Sequence, residues 1–322
     1  MYSNRISTAA RYNLLTADIQ KNEANFLRLT QQLSSGKKIT NITDDPIAAV
    51  NIVNTNRQLG QIETFNQNAQ LAMDELDTLD DLMELAGGYL TQAWDKAVQA
   101  NNGTYGKSSL EAIKVEIDEI TKTMVDLANT EFNNNFIFGG ANTKLTPYEF
   151  DEDGNIIYNG TKQDNPDYKR QTEIADGVFE VINTTGDKIF GWYNGDDDCA
   201  GVMGALKKLS NSLQEVIDAK DAKDSEAETA GYKKMFETLD MFSNAHNEIV
   251  TEQTKFGGVY NRLEMTGSTL ETNTENLTSY LSSLQDIDIA SATSQWLQAQ
   301  YAYQASLKVA SSSMGMSLLN YL

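Results

Sequence analysis

A chain of 322 residues with 40% hydrophobic and 22% charged residues can bury a core, and its composition is not that of a disordered segment. Its 25 Lys and Arg against 46 Asp and Glu give a net charge of −21, which speaks against nucleic acid and anionic membrane surfaces, since both need a basic face. A single cysteine, Cys199, rules out an intrachain disulfide, and no apolar run approaches the ~20 residues of a membrane span.

The opening "MYSNRISTAARYNLL" has no apolar signal segment, so a location outside the cell would require another export route. Residues 12–33 then place Tyr12, Leu15, Ile19, Asn22, Phe26, Leu29 and Leu33 at alternating spacings of three and four, the seam of a helix that needs a partner. Gly36 is the expected stop. The polar stretch "SSGKKITNITDDPIAAV" follows, in which Lys37 and Lys38 are read as loop residues with no partner assigned. The helix restarts at Asp44, Asp45 and Pro46: an aspartate cap accepts from orphan backbone N–H groups, and proline at the first helical position has no N–H to leave unpaired.

A second stripe, from Ile62 through Leu76, Leu79, Met83 and Leu90 to Ala100, predicts a helix over 46–101 that "NNGTYG" ends. Ser108 or Ser109 is expected to cap a third helix carrying Leu110, Ile113, Ile117, Ile120, Met124 and Leu127. Residues 138–200 are dense in Gly, Asn and Asp; Asp153-Gly154 and Asp176-Gly177 signal hairpins, and "GDKIFGW" adds a short strand. Helix returns near Met203. A long stripe follows from Tyr232 to Leu284, with His246 among its members, until "QDIDIAS" interrupts it. The last amphipathic helix carries Trp296, Tyr303, Leu307, Ala310 and Met314.

These elements predict a mainly α fold with a β-rich insert: an elongated rod of long coiled-coil helices built from both termini, with a small central β domain. The expected division is 1–42 plus 288–322 as a terminal coiled-coil domain that orders on assembly, 43–137 plus 203–287 as the helical core, and 138–202 as a β-rich surface domain. The terminal seam is assigned to Ile6, Leu15, Ile19, Phe26, Leu29, Leu33, Trp296, Tyr303, Leu307, Leu318 and Leu319.

Catalytic chemistry finds little support. His246 reads as a polar residue tolerated in a helix seam, and Asp196, Asp197 and Asp198 beside Cys199 oppose a thiolate. "DEDGN" at 151–155 has its glycine at position four, where a calcium loop needs it at six, so it reads as a hairpin turn. "GTYGKSS" lacks the phosphate-loop spacing. No catalytic, cofactor or metal site is expected, and the protein is expected not to be an enzyme. An enzyme carried on this frame would need its site within 138–202, which holds one cysteine and no histidine.

The stretch "LSSGKKITNITDDPIAAV" resembles the N-terminal signature of the flagellin superfamily, and proline after the aspartate pair looks like the hook-associated protein 3 family within it. "RISTAARYN", "FNNNFIFGGANTKLTPYEF", "GGVYNRLE", "LQDIDIASATSQW" and the closing "SLLNYL" are similar to further segments of these proteins, covering roughly 1–150 and 230–322. The resemblance implies a structural subunit of the bacterial flagellum, outside the cell, exported through the flagellar type III apparatus with a chaperone on its C-terminal region. It further implies a homo-oligomeric ring between hook-associated protein 1 and flagellin, with Asp44, Asp45 and Pro46 as signature residues. A short flagellin that builds the filament itself is the alternative.

Overall fold

The computed structural model describes residues 8–195 and 197–319, with side chains over 10–195 and 197–312. The chain is mainly α-helical with a β-rich insert. Helices α1 (Thr8–Ser35), α2 (Pro46–Ala100) and α3 (Lys107–Ala128) precede the insert. Helices α5 (Gly201–Ala222), α6 (Ser225–Gln285) and α7 (Ile289–Leu319) follow it. Two compact units are formed, one up to Ile62 together with the residues from Glu271 onward, the other Glu63–Leu270.

The Glu63–Leu270 unit has its own apolar core. Leu76, Leu79, Met83, Ala86, Leu90, Ala93, Ala97 and Ala100 of α2 are all buried, as the stripe predicts. The same core takes Leu110, Ile113, Ile117 and Met124 of α3, Leu206, Leu209 and Leu213 of α5, and Met235, Phe242, Ile249, Phe256 and Leu263 of α6. Full burial of such side chains contributes roughly 1.5–3 kcal/mol each.

Two details depart from the expected pattern. His246 is exposed and Ala245 takes the buried position. Adjacent helix positions lie about 100° apart, so a one-residue choice sends the imidazole to water and the methyl to the core. The third helix starts at Lys107 with Gly106 as its cap residue and no side-chain cap, so neither Ser108 nor Ser109 fills that role. The Leu110 N–H donates to the Gly106 carbonyl at 3.2 Å, which begins the helix earlier than a cap at Ser108 or Ser109 would allow.

Among the described residues the insert holds eight short strands: β1 (Glu131–Phe132), β2 (Asn135–Phe136), β3 (Tyr148–Phe150), β4 (Ile156–Tyr158), β5 (Gln171–Ala175), β6 (Val178–Val181), β7 (Trp192–Tyr193) and β8 (Cys199–Ala200). They form a four-stranded antiparallel sheet in the order β3-β4-β7-β8 and two hairpins, β1-β2 and β5-β6. Both predicted Asp-Gly turns are hairpin turns, with Gly154 and Gly177 at φ +75° and +69°. The Asp151 carboxylate is occupied inside its turn, accepting from the Asn155 N–H at 2.7 Å and the Asp153 N–H at 3.0 Å.

"GDKI", expected to open a strand, is instead the single-turn helix α4 (Gly186–Ile189), and only Trp192 and Tyr193 are extended. Gly186 explains the difference. A Cβ there would stand 2.7 Å from ring carbons of both Tyr148 and Tyr158, so the backbone turns tightly beneath the two aromatics.

"FNNNFIFGG" acquires a physical role. Asn133 and Asn134, at φ 50° and 61°, form the two-residue turn between β1 and β2. Phe138 is fully buried, edge-on to Phe190 at 4.9 Å. Gly140 sits at φ +67°, where a Cβ would stand 2.8 Å from the Thr161 carbonyl oxygen.

Candidate assembly site

Helices α1 and α7 meet in the first unit. α1 stops where Gly36 turns left-handed at φ +69°. The following residues do not wander through solvent as a loop. Lys37 pairs with Asp286 as an antiparallel bridge, the Lys38 N–H donates to the Gln285 carbonyl at 2.7 Å, and the Ile287 N–H donates to the Gly36 carbonyl at 3.0 Å. The Lys38 ammonium donates to the Ser283 carbonyl at 3.0 Å, and the Gln32 amide donates to the Lys38 carbonyl at 2.6 Å. Lys37 and Lys38, to which sequence reasoning gave no partner, thus fasten the segment before α2 to the segment before α7. The signal that could have found this is the coincidence of two helix breaks, each followed by an aspartate cap.

Both helices restart by the same device. The Asp45 carboxylate accepts from the Ile47 and Ala48 N–H groups, each at 3.0 Å, with Pro46 at the first helical position. Asp288 accepts from the Ala290 and Ser291 N–H groups at 3.0 and 3.2 Å. Asp44 organises the loop instead, accepting from the Asn41 N–H at 2.9 Å and the Thr40 N–H at 3.0 Å. Those backbone donors, Asn41 first and Thr40 second, hold its carboxyl below the ordinary carboxylate range.

From this joint α1 and α7 run antiparallel. Thr30 accepts a hydrogen bond from the Trp296 indole at 2.9 Å, while Phe26 lies 5.7 Å from the Trp296 ring and is stacked on Tyr303 at 6.1 Å. Leu29 is 4% exposed, and Leu15, Ile19, Phe26 and Leu33 are half-buried on the same face. On α7 the facing positions are Ala292, Trp296, Ala299, Tyr303 and Ser306. Leu307 stands one position beyond this face and is 43% exposed. Ile6 lies outside the described residues, as do the side chains of Leu318 and Leu319.

The pair leaves large apolar side chains on its outside: Leu14, Leu27, Leu297, Tyr301, Leu307 and Val309 are all at least 40% exposed. Three exposed residues at the start of α2, Ile47, Val50 and Val53, add to the uncovered apolar surface of this unit. Among the described residues no group of three or more His, Cys, Asp or Glu is placed to hold a metal ion, and no helix is long and apolar enough to cross a membrane. The chemistry on offer here is burial of helix faces.

Comparison with known proteins points the same way. The family model for the bacterial flagellin N-terminal helical region matches residues 6–143, and that for the flagellin C-terminal helical region matches 239–322. The chain is 26% identical over 320 residues to the flagellar hook-associated protein 3 of Escherichia coli, covering 98% of each chain. It is 25% identical to the flagellin of Bacillus subtilis, covering 94% of this chain and 93% of that one. A crystal structure of flagellar hook-associated protein 3 from Legionella pneumophila shares the fold, with a TM-score of 0.63 at 14% identity over 72% of this chain and 98% of that chain.

Proposed function

The chain belongs to the bacterial flagellin family, and from that premise we propose that it is a structural subunit of the flagellum, joining the hook to the filament. The observation that carries the proposal is the antiparallel pairing of α1 with α7, with a filled seam inside and apolar side chains left uncovered outside. That is the surface of a subunit completed by its neighbours. In this reading the residues of 1–42 and 288–322 reach their full burial only on assembly, as a homo-oligomeric ring between hook-associated protein 1 and flagellin. Full burial of each large apolar side chain would contribute roughly 1.5–3 kcal/mol. Asp45, Pro46 and the 36–38/285–287 joint set where that layer begins.

The reading includes no catalytic step. It places the protein outside the cell, delivered by the flagellar type III apparatus with a chaperone on its C-terminal region. Likeness to the Bacillus flagellin supports a second reading, a short flagellin that builds the filament itself. A deletion strain examined by electron microscopy separates the two. Intact hooks that shed monomeric flagellin into the medium are expected for the junction subunit. Missing filaments with no secreted flagellin would fit the filament subunit instead.

A further inference from the structure

We propose that neighbouring copies dock through two dissimilar patches of the Glu63–Leu270 unit: a lysine-lined groove between α3 and α5, and an acidic ridge on α2. The proposal rests on the reading above that the chain assembles as a ring of copies, and it names the surfaces that meet.

The groove has a volume of about 600 Å³ and is lined by Lys114, Lys122 and Lys207 with Phe150 and Asp118. Asp118 is already committed, accepting from Lys114 at 2.8 Å and from the Ser210 hydroxyl at 2.5 Å. Lys122 pairs with Glu119 of its own helix at 2.7 Å. Lys207 is half-buried and forms no ion pair among the described residues. Asp118 offsets Lys114 and Glu119 offsets Lys122, so Lys207 leaves the groove one uncompensated positive charge in a chain of net charge −21. Phe150, 47% exposed, supplies an apolar patch within it.

The ridge is its chemical complement. Asp74, Asp77, Asp81 and Glu84 are exposed and recur at helical spacings of three and four, so they share one face of α2. No basic residue occurs in α2 between Arg57 and Lys96. Leu85, 52% exposed, and Gly88 lie beside these carboxylates and line a groove of about 620 Å³ with Asp81 and Glu84. A methyl group at Gly87 or Gly88 would meet no atom within 4 Å beyond the neighbouring backbone of its own helix, so packing against the rest of the chain requires neither glycine. At Gly88 a surface from outside can approach the helix backbone closely.

Symmetry favours meeting of unlike patches. Groove against groove would set lysines facing lysines, and ridge against ridge would set carboxylates facing carboxylates. Groove against ridge is attractive, and such a head-to-tail contact repeats from copy to copy until a ring closes. Leu85 and Phe150 then exclude water at the centre while the charges align at the rim.

Charge reversal on the full chain tests this in a strain lacking the native protein. Lys122→Glu with Lys207→Glu, and separately Asp81→Lys with Glu84→Lys, are each expected to reduce attached filaments about tenfold. The chain carrying all four reversals is expected to recover most of that loss. Either double variant anchoring filaments as well as the native chain overturns the proposal. A second measurement does not depend on rescue: with Cys199→Ser as background, Glu84→Cys plus Lys122→Cys should give a ladder of cross-linked copies in isolated flagella. Monomer alone overturns the proposed contact and leaves the junction role standing. Failure of the native chain to anchor filaments would overturn the junction role itself.

Discussion

Single side chains at the joint have effects that can be read separately. Asp45 provides two hydrogen bonds to the first turn of α2, so Asp45→Ala should destabilise that turn by about 1 kcal/mol. Hydrogen exchange at Ile47 and Ala48 should then quicken roughly fivefold. Asp44 is a pH-dependent element of the same loop. Its folded-state pKa is lowered by the Asn41 and Thr40 amides, so the stability it lends the loop is complete above the ordinary carboxylate pKa. That stability is lost as pH falls through the lowered folded value. A titration followed at the Thr40 and Asn41 amide resonances should therefore inflect at lower pH than in a free peptide of residues 38–46. An inflection at or above the peptide's would contradict the hydrogen-bonded role. Neither effect extends to the Lys38 ammonium, whose partner Ser283 lies 245 residues away, or to the Lys37 bridge with Asp286, since both depend on where the segment before α7 passes.

At the scale of elements, the α1/α7 pair turns on one aromatic group. Trp296 touches Phe26 and donates to Thr30, and it is half-buried, so Trp296→Ala should cost about 2 kcal/mol. Protection from hydrogen exchange over 26–30 of α1 should fall about thirtyfold, with no change in α5. Equal loss in both helices would mean that the pair does not open as an element of its own. The heptad stripes of α1, α2 and α6 were legible in the sequence because helix geometry repeats locally, whatever the partner. Single stripe members were less so. His246 and Ala245, or Leu307 and Ser306, differ by one position, and only the location of the packed neighbour decides which is covered. The same limit applies to α4, where the ring positions of Tyr148 and Tyr158 select a helical turn over an extended one.

For the whole molecule, the Glu63–Leu270 unit carries a core that includes no residue of the terminal pair. Removing 1–40 or 288–322 should therefore leave the near-ultraviolet circular dichroism of this core in place while abolishing anchorage of filaments. A truncated chain that still enters flagella would overturn the role given to the terminal seam. Two ion pairs tie the β5-β6 hairpin to this core: Arg170 to Glu75 of α2, and Arg262 of α6 to Glu180. Glu75 and Glu180 are 8% and 3% exposed. Carboxylates so placed need a partner, but nothing in the local sequence says which arginine comes to them.

The sequence alone determined the long helices, the aspartate and proline start of α2, the β-rich insert and its two Asp-Gly turns, and the absence of a recognisable catalytic motif. Each of these follows from backbone geometry or side-chain chemistry within a few residues. Only the tertiary structure decided that Lys37 and Lys38 lock onto residues 283–286, that Gly140 and Gly186 are required by a carbonyl and two tyrosine rings, and which side chains remain uncovered on the paired ends. These depend on segments distant in the chain meeting at atomic range, and the enclosed space, not the local pattern, sets what each position can hold.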